Sequence, residues 1–167
     1  MYICKLVLQN VFFEMMERNK KQERYNRLKL QITELLTKCE DMEARMATVI
    51  AVLHHKIDYF FWTGFYFLQE DRLIVKMYQG PVACMELKKD TGVCWAGINR
   101  RETILVPDVH VFEGHIACDS RSQSEIVVPF FDDKGNLLGV LDIDSTQKNA
   151  FDKIDAENIE EILRLIF

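Results

Sequence analysis

The sequence lacks several features that would place it in other classes of protein. No apolar run approaches the ~20 residues that a membrane-spanning helix needs. Five cysteines among 167 residues are too few for a disulfide scaffold, and their odd number suits a reducing compartment. No signal-peptide cleavage pattern follows the first apolar residues. A net charge of −5 disfavours nucleic acids and anionic membranes as partners, so we expect a soluble, cytoplasmic domain.

Glycine and proline are absent from residues 1–63, whereas seven Gly and three Pro lie at Gly64 or later. A segment without either residue and rich in Glu, Lys, Leu and Met is typical of helix. Two apolar patterns at helical spacing flank the polar stretch Glu17–Asn26, which predicts one long helix or two. We predict a helical extension over 1–20 and a single domain over 21–167.

A further helix and a sheet are predicted after the first helical segment. Asp41 is a suitable N-cap for a helix that ends near Lys56. The pattern then changes to extended segments and turns. It predicts two hairpins, Tyr59–Leu68 with Leu73–Tyr78 and Glu125–Phe131 with Leu137–Asp144, and a long ordered loop over Asp108–Arg121. The predicted strands and later helices are Tyr59–Leu68, Leu73–Tyr78, a strand near Cys84–Leu87, a helix from Thr91-Gly92, Thr103–Val106, Glu125–Phe131, Leu137–Asp144 and a helix from about Asp152. Helices, then an antiparallel sheet, then a helix indicate an α+β fold.

Cys84, Cys94 and Cys118 are the cysteines of the sheet-bearing part, beside turns and polar residues, where reactive thiols occur. Any one of them could equally be an ordinary buried residue. Cys94 follows a predicted helix start, where the helix dipole would lower its pKa. Cys118 has two potential cationic neighbours, His115 and Arg121.

The other cysteines, Cys4 and Cys39, lie on or beside helical apolar stripes, so we expect them to be packed in the core. A zinc site could combine the three sheet cysteines with His110 or His115. No C-x-x-C or H-x₃-H spacing supports that arrangement, and it is the less favoured hypothesis.

Two aspartates end the last predicted strand. Asp142 and Asp144 are two residues apart, so they would face the same side of the sheet, ~7 Å apart. Glu125 opens the partner strand and would lie near them. Two interpretations are open: the strand ends in solvent, or three carboxylates form a clamp for a small cationic or zwitterionic ligand.

An aromatic group occupies one face of the first predicted strand. Trp62, Gly64 and Tyr66 share that face by the period-two rule. The missing side chain at Gly64 would leave a hollow for a small apolar group. Ordinary core packing of the two rings is the favoured alternative.

These segments together resemble a known family. The matching stretches are Trp62-Thr63-Gly64-Phe65-Tyr66, Gln79-Gly80-Pro81-Val82-Ala83-Cys84, Gly92-Val93-Cys94, Val106-Pro107-Asp108-Val109-His110, Gly114-His115-Ile116-Ala117-Cys118-Asp119, Ser124-Glu125-Ile126-Val127-Val128-Pro129 and Gly139-Val140-Leu141-Asp142-Ile143-Asp144-Ser145. The chain resembles the free methionine-(R)-sulfoxide reductases, which are built on a GAF domain. The resemblance implies a central antiparallel sheet with the terminal helices on one face and short insertions over a pocket on the other.

The resemblance also implies a division of roles among the thiols. Cys118 matches the nucleophile that attacks the sulfoxide sulfur, and Cys84 matches the principal thiol that converts the resulting sulfenic acid into a disulfide. Cys94 matches the family's third cysteine, with its share of this work left open. Thioredoxin is the implied reductant, with no bound metal or organic cofactor. A homodimer is expected.

The remaining matches concern the substrate. Glu125, Asp142 and Asp144 match the carboxylates that bind it, and Trp62 and Tyr66 match the aromatic residues of its pocket. We expect Asp144 or Glu125 to protonate the leaving oxygen, and Asp142 to hold the ammonium group. Backbone N–H groups over Ile116, Ala117 and Cys118 would bind the methionine carboxylate.

Two other functions are compatible with these residues. One is a non-catalytic GAF module that senses a small ligand or the redox state. The other is a hydrolase in which Cys118 is paired with His110 or His115.

Overall fold

The structure is a computed structural model that describes residues 2–115 and 118–166, with side chains from residue 12 onward. Four helices and six strands are present in this part of the chain. In chain order they are α1 (Tyr2–Leu36), α2 (Met42–Lys56), β1 (Trp62–Gln69), β2 (Arg72–Gln79), β3 (Glu86–Leu87), α3 (Gly92–Arg100), β4 (Ile104–Val106), β5 (Ser124–Phe131), β6 (Leu137–Ser145) and α4 (Lys153–Arg164). The predicted α+β fold is confirmed.

The N-terminal segment is one continuous helix rather than two. Helix α1 passes through the polar stretch Glu17–Asn26 because nothing in it interrupts the backbone hydrogen bonds. Residues 12–20 are exposed on every side, and full burial begins at Tyr25, within the polar stretch, and continues with the second apolar pattern from Leu28. The predicted boundary between residues 20 and 21 therefore falls inside α1, close to the point where its side chains change from exposed to partly buried.

Side-chain caps fix the starts of α2 and α4. The Asp41 carboxylate accepts a hydrogen bond from the Ala44 N–H at 2.9 Å, as predicted for the start of α2. Asp152 caps α4 and forms a capping box with Asp155. Helix α2 ends at Lys56, as predicted, and the basic residues His54, His55 and Lys56 lie in its last turn.

All six strands form one antiparallel sheet in the order β3-β2-β1-β6-β5-β4. The predicted hairpins β1–β2 and β5–β6 are both present. Strand β1 begins at Trp62 rather than at Tyr59, because the Phe60 N–H donates to the Ile57 carbonyl in a turn at 3.1 Å. The segment predicted as a long loop after Asp108 contains a short 3₁₀ turn, Val109–Val111.

The two faces of the sheet carry separate apolar clusters. Helices α1, α2 and α4 pack on one face, against alternate residues such as Phe65, Ile126 and Ile143. Helix α3 and the connecting segments cover the other face, which carries Trp62 and Val127. We call the second face the cleft face, because it bears the site described below.

A buried carboxylate ties α1 to α4. Asp155 is fully buried and accepts hydrogen bonds from the Tyr25 hydroxyl at 2.8 Å and the Tyr59 hydroxyl at 2.6 Å. Lys21 pairs with the same carboxylate, and the Asp152 N–H donates to it at 2.8 Å. Because its partners supply charge and hydrogen bonds, the Asp155 side chain can be buried in the core.

Within the described residues, no helix combines the length and apolar character required to cross a membrane.

Candidate functional site

The register of three strands brings the predicted carboxylates to one place. Glu125 on β5 lies directly opposite Asp144 on β6, and Asp144 in turn lies opposite Trp62 on β1. In the adjacent row, Asp142 lies between Gly64 and Val127. Since side chains alternate across the sheet, all of these positions face the cleft. We call Glu125, Asp142 and Asp144 the carboxylate floor.

A cavity of about 190 Å³ lies over this floor. Its lining includes all three carboxylates, Trp62, Tyr66, His115 and the three cysteines of the sheet-bearing part, Cys84, Cys94 and Cys118. The volume is below the roughly 300–1,000 Å³ of pockets that take drug-sized ligands, so the cavity suits a small guest. The alternative in which Asp142 and Asp144 end the strand in solvent is therefore wrong.

The carboxylate floor is mostly buried, with Asp144 half-buried, and its three carboxyl groups are electrostatically crowded. Glu125 is 5% exposed and Asp142 is 8% exposed. Burial, followed by repulsion from Asp142 and Asp144, raises the pKa of Glu125 well above its ordinary value. Burial and the Asp144 charge likewise raise the pKa of Asp142, and burial raises that of Asp144 to about 6. The three carboxyl groups of the floor therefore hold their protons to higher pH than ordinary carboxyl groups do.

One oxygen of the floor has no partner. Oδ1 of Asp142 is buried and accepts no hydrogen bond within the described part of the chain. An unpaired buried carboxylate oxygen is costly, and it marks a position where a donor or a cation would be stabilised.

Cys94 contradicts the prediction of an activated thiol. It lies in the first turn of α3, but its side chain is 5% exposed and contacts the carboxylates. Burial, followed by the charges of Asp142 and Glu125, raises its pKa well above the ordinary value. The negative surroundings outweigh the helix dipole, so Cys94 remains a protonated thiol.

Cys84 and Cys118 form a thiol pair at the mouth of the cleft. Their Sγ atoms are 2.7 Å apart, with Cys118 exposed and Cys84 half-buried. The pKa of Cys118 is raised to about 12, chiefly by desolvation and by its hydrogen bond with Cys84. The predicted cationic neighbours of Cys118 are engaged elsewhere: Arg121 binds Asp119 at 2.7 Å, and His115 lies 3.7 Å from Glu125.

The Cys–His pair required by a hydrolase is not formed among the described side chains. The hydrogen-bond partner of Cys118 is Cys84. His110 Nδ1 instead contacts Asp108 at 2.8 Å, and His110 is not among the residues that line the cavity with the three cysteines of the zinc hypothesis.

Trp62 and Tyr66 hold the segment that carries Cys84. We call residues 80–85, between β2 and β3, the Cys84 loop. The Tyr66 hydroxyl donates to the Cys84 carbonyl at 3.0 Å, and the Trp62 Nε1–H donates to the Pro81 carbonyl at 3.2 Å. These hydrogen bonds satisfy the polar ends of two buried rings and fix one wall of the cleft.

The predicted hollow at Gly64 is occupied by Trp62 itself. A Cβ at Gly64 would lie 2.3 Å from the Trp62 ring and 2.6 Å from Tyr78 Cβ. The indole stacks between Tyr66 and Tyr78, with ring centroids 5.8 Å and 5.4 Å away. The missing side chain at Gly64 therefore makes room for the Trp62 ring, and the cavity lies over the carboxylate floor instead.

Several other side chains depart from the sequence interpretation. His115 and Ser122 were not assigned to the floor, but His115 faces Glu125 and Ser122 hydrogen-bonds Asp144. Their place in an irregular segment leaves no periodicity from which to find them. Cys39 is exposed just beyond α1, so its predicted core packing is wrong. Cys4, Ile116 and Ala117 lie outside the residues whose side chains are described.

Comparison with known proteins first defines the class. A model of the GAF domain family matches residues 39–166. The six-stranded sheet with helices on one face and a small cavity on the other is the architecture of that class, so the predicted GAF-like fold is confirmed.

Individual relatives then define the family. The chain is 44% identical to GAF domain-containing protein A of Dictyostelium discoideum, over 87% of this chain and 92% of that protein. It is 39% identical to the free methionine-R-sulfoxide reductase of Escherichia coli, over 72% of each chain. A solved structure of the free methionine-R-sulfoxide reductase from Neisseria meningitidis with its substrate is 38% identical, with a TM-score of 0.80 over 85% of each chain.

The chain belongs to the free methionine-(R)-sulfoxide reductases, a family of oxidoreductases built on a GAF domain.

Proposed function

We propose that the protein reduces free L-methionine-(R)-sulfoxide to L-methionine with a cysteine thiol. The observation that carries this proposal is the meeting of a thiol pair and a buried carboxylate floor in one small cavity. Relatives named as free methionine-R-sulfoxide reductases support it at 39% and 44% identity.

Selection of a free amino acid follows from the floor. The α-ammonium group of the substrate compensates the buried negative charge, and the unpaired Oδ1 of Asp142 accepts one of its protons. A methionine inside a peptide has an amide in place of that ammonium. It would leave the carboxylates uncompensated in a dry cavity, so peptide methionine sulfoxide is excluded. The indole of Trp62 covers the apolar part of the substrate.

The first chemical step oxidises Cys118 and reduces the substrate. The Cys118 sulfur attacks the sulfoxide sulfur, the oxygen is transferred to Cys118 as a sulfenic acid, and methionine leaves as the thioether. The oxygen must be protonated as the S–O bond breaks. We assign this acid to Glu125, because burial and the neighbouring carboxylates raise its pKa well above the ordinary value, whereas the pKa of Asp144 is about 6 and leaves that group mostly ionised at pH 7.

Substrate binding also activates the thiol. In the free protein, desolvation and the hydrogen bond with Cys84 raise the pKa of Cys118 to about 12, and the Asp142 charge adds a smaller contribution. A bound ammonium group neutralises that charge and removes part of the effect. Deprotonation of Cys118 is therefore easier with the substrate bound than in the free protein.

The second step closes a disulfide. Cys84 attacks the Cys118 sulfenic acid, an S–S bond forms and water leaves. The neighbouring positions of the two sulfurs support this pairing over one with the buried Cys94. A dithiol reductant, which we take to be thioredoxin, then returns two electrons to the disulfide, and no bound cofactor is required.

Two expectations about the whole protein remain proposals. Phe12, Phe13 and Met15 on α1 are more than half exposed, which supports a homodimer that covers them. The free thiols of the cleft suit the reducing environment of the cytoplasm.

Single-turnover experiments without reductant test the thiol roles. Cys118→Ser is expected to form no methionine, because the nucleophile is lost. Cys84→Ser is expected to form one equivalent and then stop, with a sulfenic acid that dimedone traps. Cys39→Ser, which removes an exposed thiol outside the cavity lining, is the matched control and should behave as wild type. Methionine formation by Cys118→Ser would refute the assignment.

Substrate selectivity tests the carboxylate floor. The protein is assayed with both sulfoxide epimers of free methionine and with an N-acetylated, C-amidated sulfoxide. Activity is expected on the free (R) epimer alone. Equal activity on the blocked compound would contradict the role of the ammonium group.

A further inference from the structure

A cluster of metal-ligand type lies at the base of the cleft. Cys94 on α3, Glu125 on β5 and Asp142 on β6 each present a donor atom, and these atoms lie within 4.8 Å of one another. All three side chains are more than nine-tenths buried. The cluster includes the one described carboxylate oxygen that is buried without a partner, Oδ1 of Asp142, and it borders the cavity. The cluster therefore combines one thiol and two carboxylates, and one of its carboxylate oxygens has no hydrogen-bond partner.

We propose that this cluster is a binding site for a divalent zinc-type cation, held by Cys94, Glu125 and Asp142. Zinc accepts one sulfur and two oxygen ligands in tetrahedral geometry, and its fourth position would face the cavity. Hard cations such as Mg²⁺ use oxygen ligands and avoid thiols, so the sulfur of Cys94 favours zinc over them.

The charges around the cluster favour a cation with two charges. Asp144 and Asp119 also line the cavity, whereas Lys88 is the one lysine or arginine among its described lining residues. Zinc binding would displace the Cys94 thiol proton and any proton held by the two carboxylates, which pass to solvent. The cation would then satisfy Oδ1 of Asp142 and compensate the crowded floor.

Occupation by zinc would exclude the substrate proposed above. Both guests require Asp142 and the same cavity, so they compete. Cys94 distinguishes them, because it ligates the metal but the proposed reduction uses Cys118 and Cys84. The metal site is independent of the proposed function, since binding is measured without turnover. If the reductase proposal holds, zinc is a reversible inhibitor of the reduced enzyme.

Titration with zinc chloride tests the site directly. The reduced protein competes with a chromophoric zinc chelator, and one equivalent is expected to bind tightly. X-ray absorption of the wild-type complex should show one sulfur ligand at ~2.3 Å with the remaining ligands oxygen or nitrogen. Two sulfur ligands would place the metal on the thiol pair, Cys84 and Cys118, and would overturn the proposal, as would the absence of stoichiometric binding.

Matched variants locate the site. Cys94→Ser and Asp142→Asn should each weaken zinc binding at least tenfold, whereas Cys39→Ser should bind as wild type does. Circular dichroism confirms that each variant is folded, and the absorption experiment on wild type needs no variant. Free L-methionine should raise the apparent dissociation constant for zinc. Unchanged zinc affinity in Cys94→Ser would refute the assignment.

Discussion

At the scale of single residues, the carboxyl groups that we assign to substrate binding destabilise the folded protein when they are ionised. Asp144 has an ordinary pKa of 3.8, which burial raises to about 6 in the folded protein. Between these two values the folded state binds a proton more tightly than the unfolded state. The free energy of unfolding therefore decreases as the pH rises from about 4 to about 6, and stays lower above that range.

Asp144→Asn removes this pH-dependent penalty. At pH 8 the variant is expected to be more stable than wild type by about 1–3 kcal/mol, because the wild type then carries a buried charge. At pH 4 the difference should be small. Urea denaturation at both pH values measures it, with Asp133→Asn in the exposed β5–β6 turn as the control. A variant less stable than wild type at pH 8 would contradict the electrostatic account.

The same residues define what the sequence could predict. The side of the sheet on which Glu125, Asp142 and Asp144 lie follows from the period of a strand, and it is correct. The state of Cys94 could not be predicted, because its depth and its acidic neighbours come from β5 and β6. Residue order places Cys94 at a helix start, but packing sets its pKa.

At the scale of elements, the Cys84 loop depends on strand β1. The loop is tied to β1 by the hydrogen bonds from Tyr66 and Trp62 to its carbonyl groups. Trp95 on α3 adds a hydrogen bond to the Leu87 carbonyl just beyond the loop, at 3.3 Å. Aromatic side chains therefore hold Cys84 beside Cys118, and β1 supports the disulfide step as well as the shape of the pocket.

Tyr66→Phe tests this dependence. The ring that lines the pocket remains, so methionine formation in a single turnover should stay near the wild-type rate. Loss of the hydrogen bond loosens Cys84, so disulfide formation should slow several-fold and the sulfenic acid should accumulate. Rapid quench with dimedone trapping separates the two steps, and Tyr78→Phe is the control for loss of a nearby hydroxyl. Equal slowing of both steps would show that Tyr66 supports the pocket alone.

Element boundaries show where local sequence is sufficient. Hairpins β1–β2 and β5–β6 were predictable because each has alternation around a turn. Whether residues 1–40 form one helix or two could not be decided, because the polar stretch Glu17–Asn26 is compatible with both. The predicted start of β1 at Tyr59 was wrong. The positions of Tyr59 and Phe60 are set by contacts with α4 and Phe151 rather than by strand pairing.

At the scale of the whole molecule, the sheet separates stability from chemistry. The helical face holds the larger apolar cluster and the buried Asp155 network, and the cleft face holds the thiols and the floor. A change on the helical face should therefore affect the fold more than the reaction.

The Asp155→Asn variant tests whether a change on the helical face affects stability without affecting substrate binding. Both oxygens of Asp155 accept hydrogen bonds, so in either orientation the amide of Asn turns an N–H group towards existing donors, and Lys21 loses its carboxylate partner. Stability is expected to fall by about 2–4 kcal/mol, measured by urea denaturation, with KM for the sulfoxide unchanged. Glu157→Gln, an exposed change on the same helix, should leave both quantities unaltered. A raised KM with intact stability would contradict the prediction.

The position of Cys118 at the mouth of the cleft also determines the order of events in turnover. A protein that docks on this exposed sulfur would cover the route by which a small guest enters and leaves. The sulfoxide substrate and the protein reductant would therefore bind one after the other, and no ternary complex would form. Double-reciprocal plots of the initial rate at several reductant concentrations should be parallel lines, as for a ping-pong mechanism. Intersecting lines would mean that the substrate and the reductant bind at the same time.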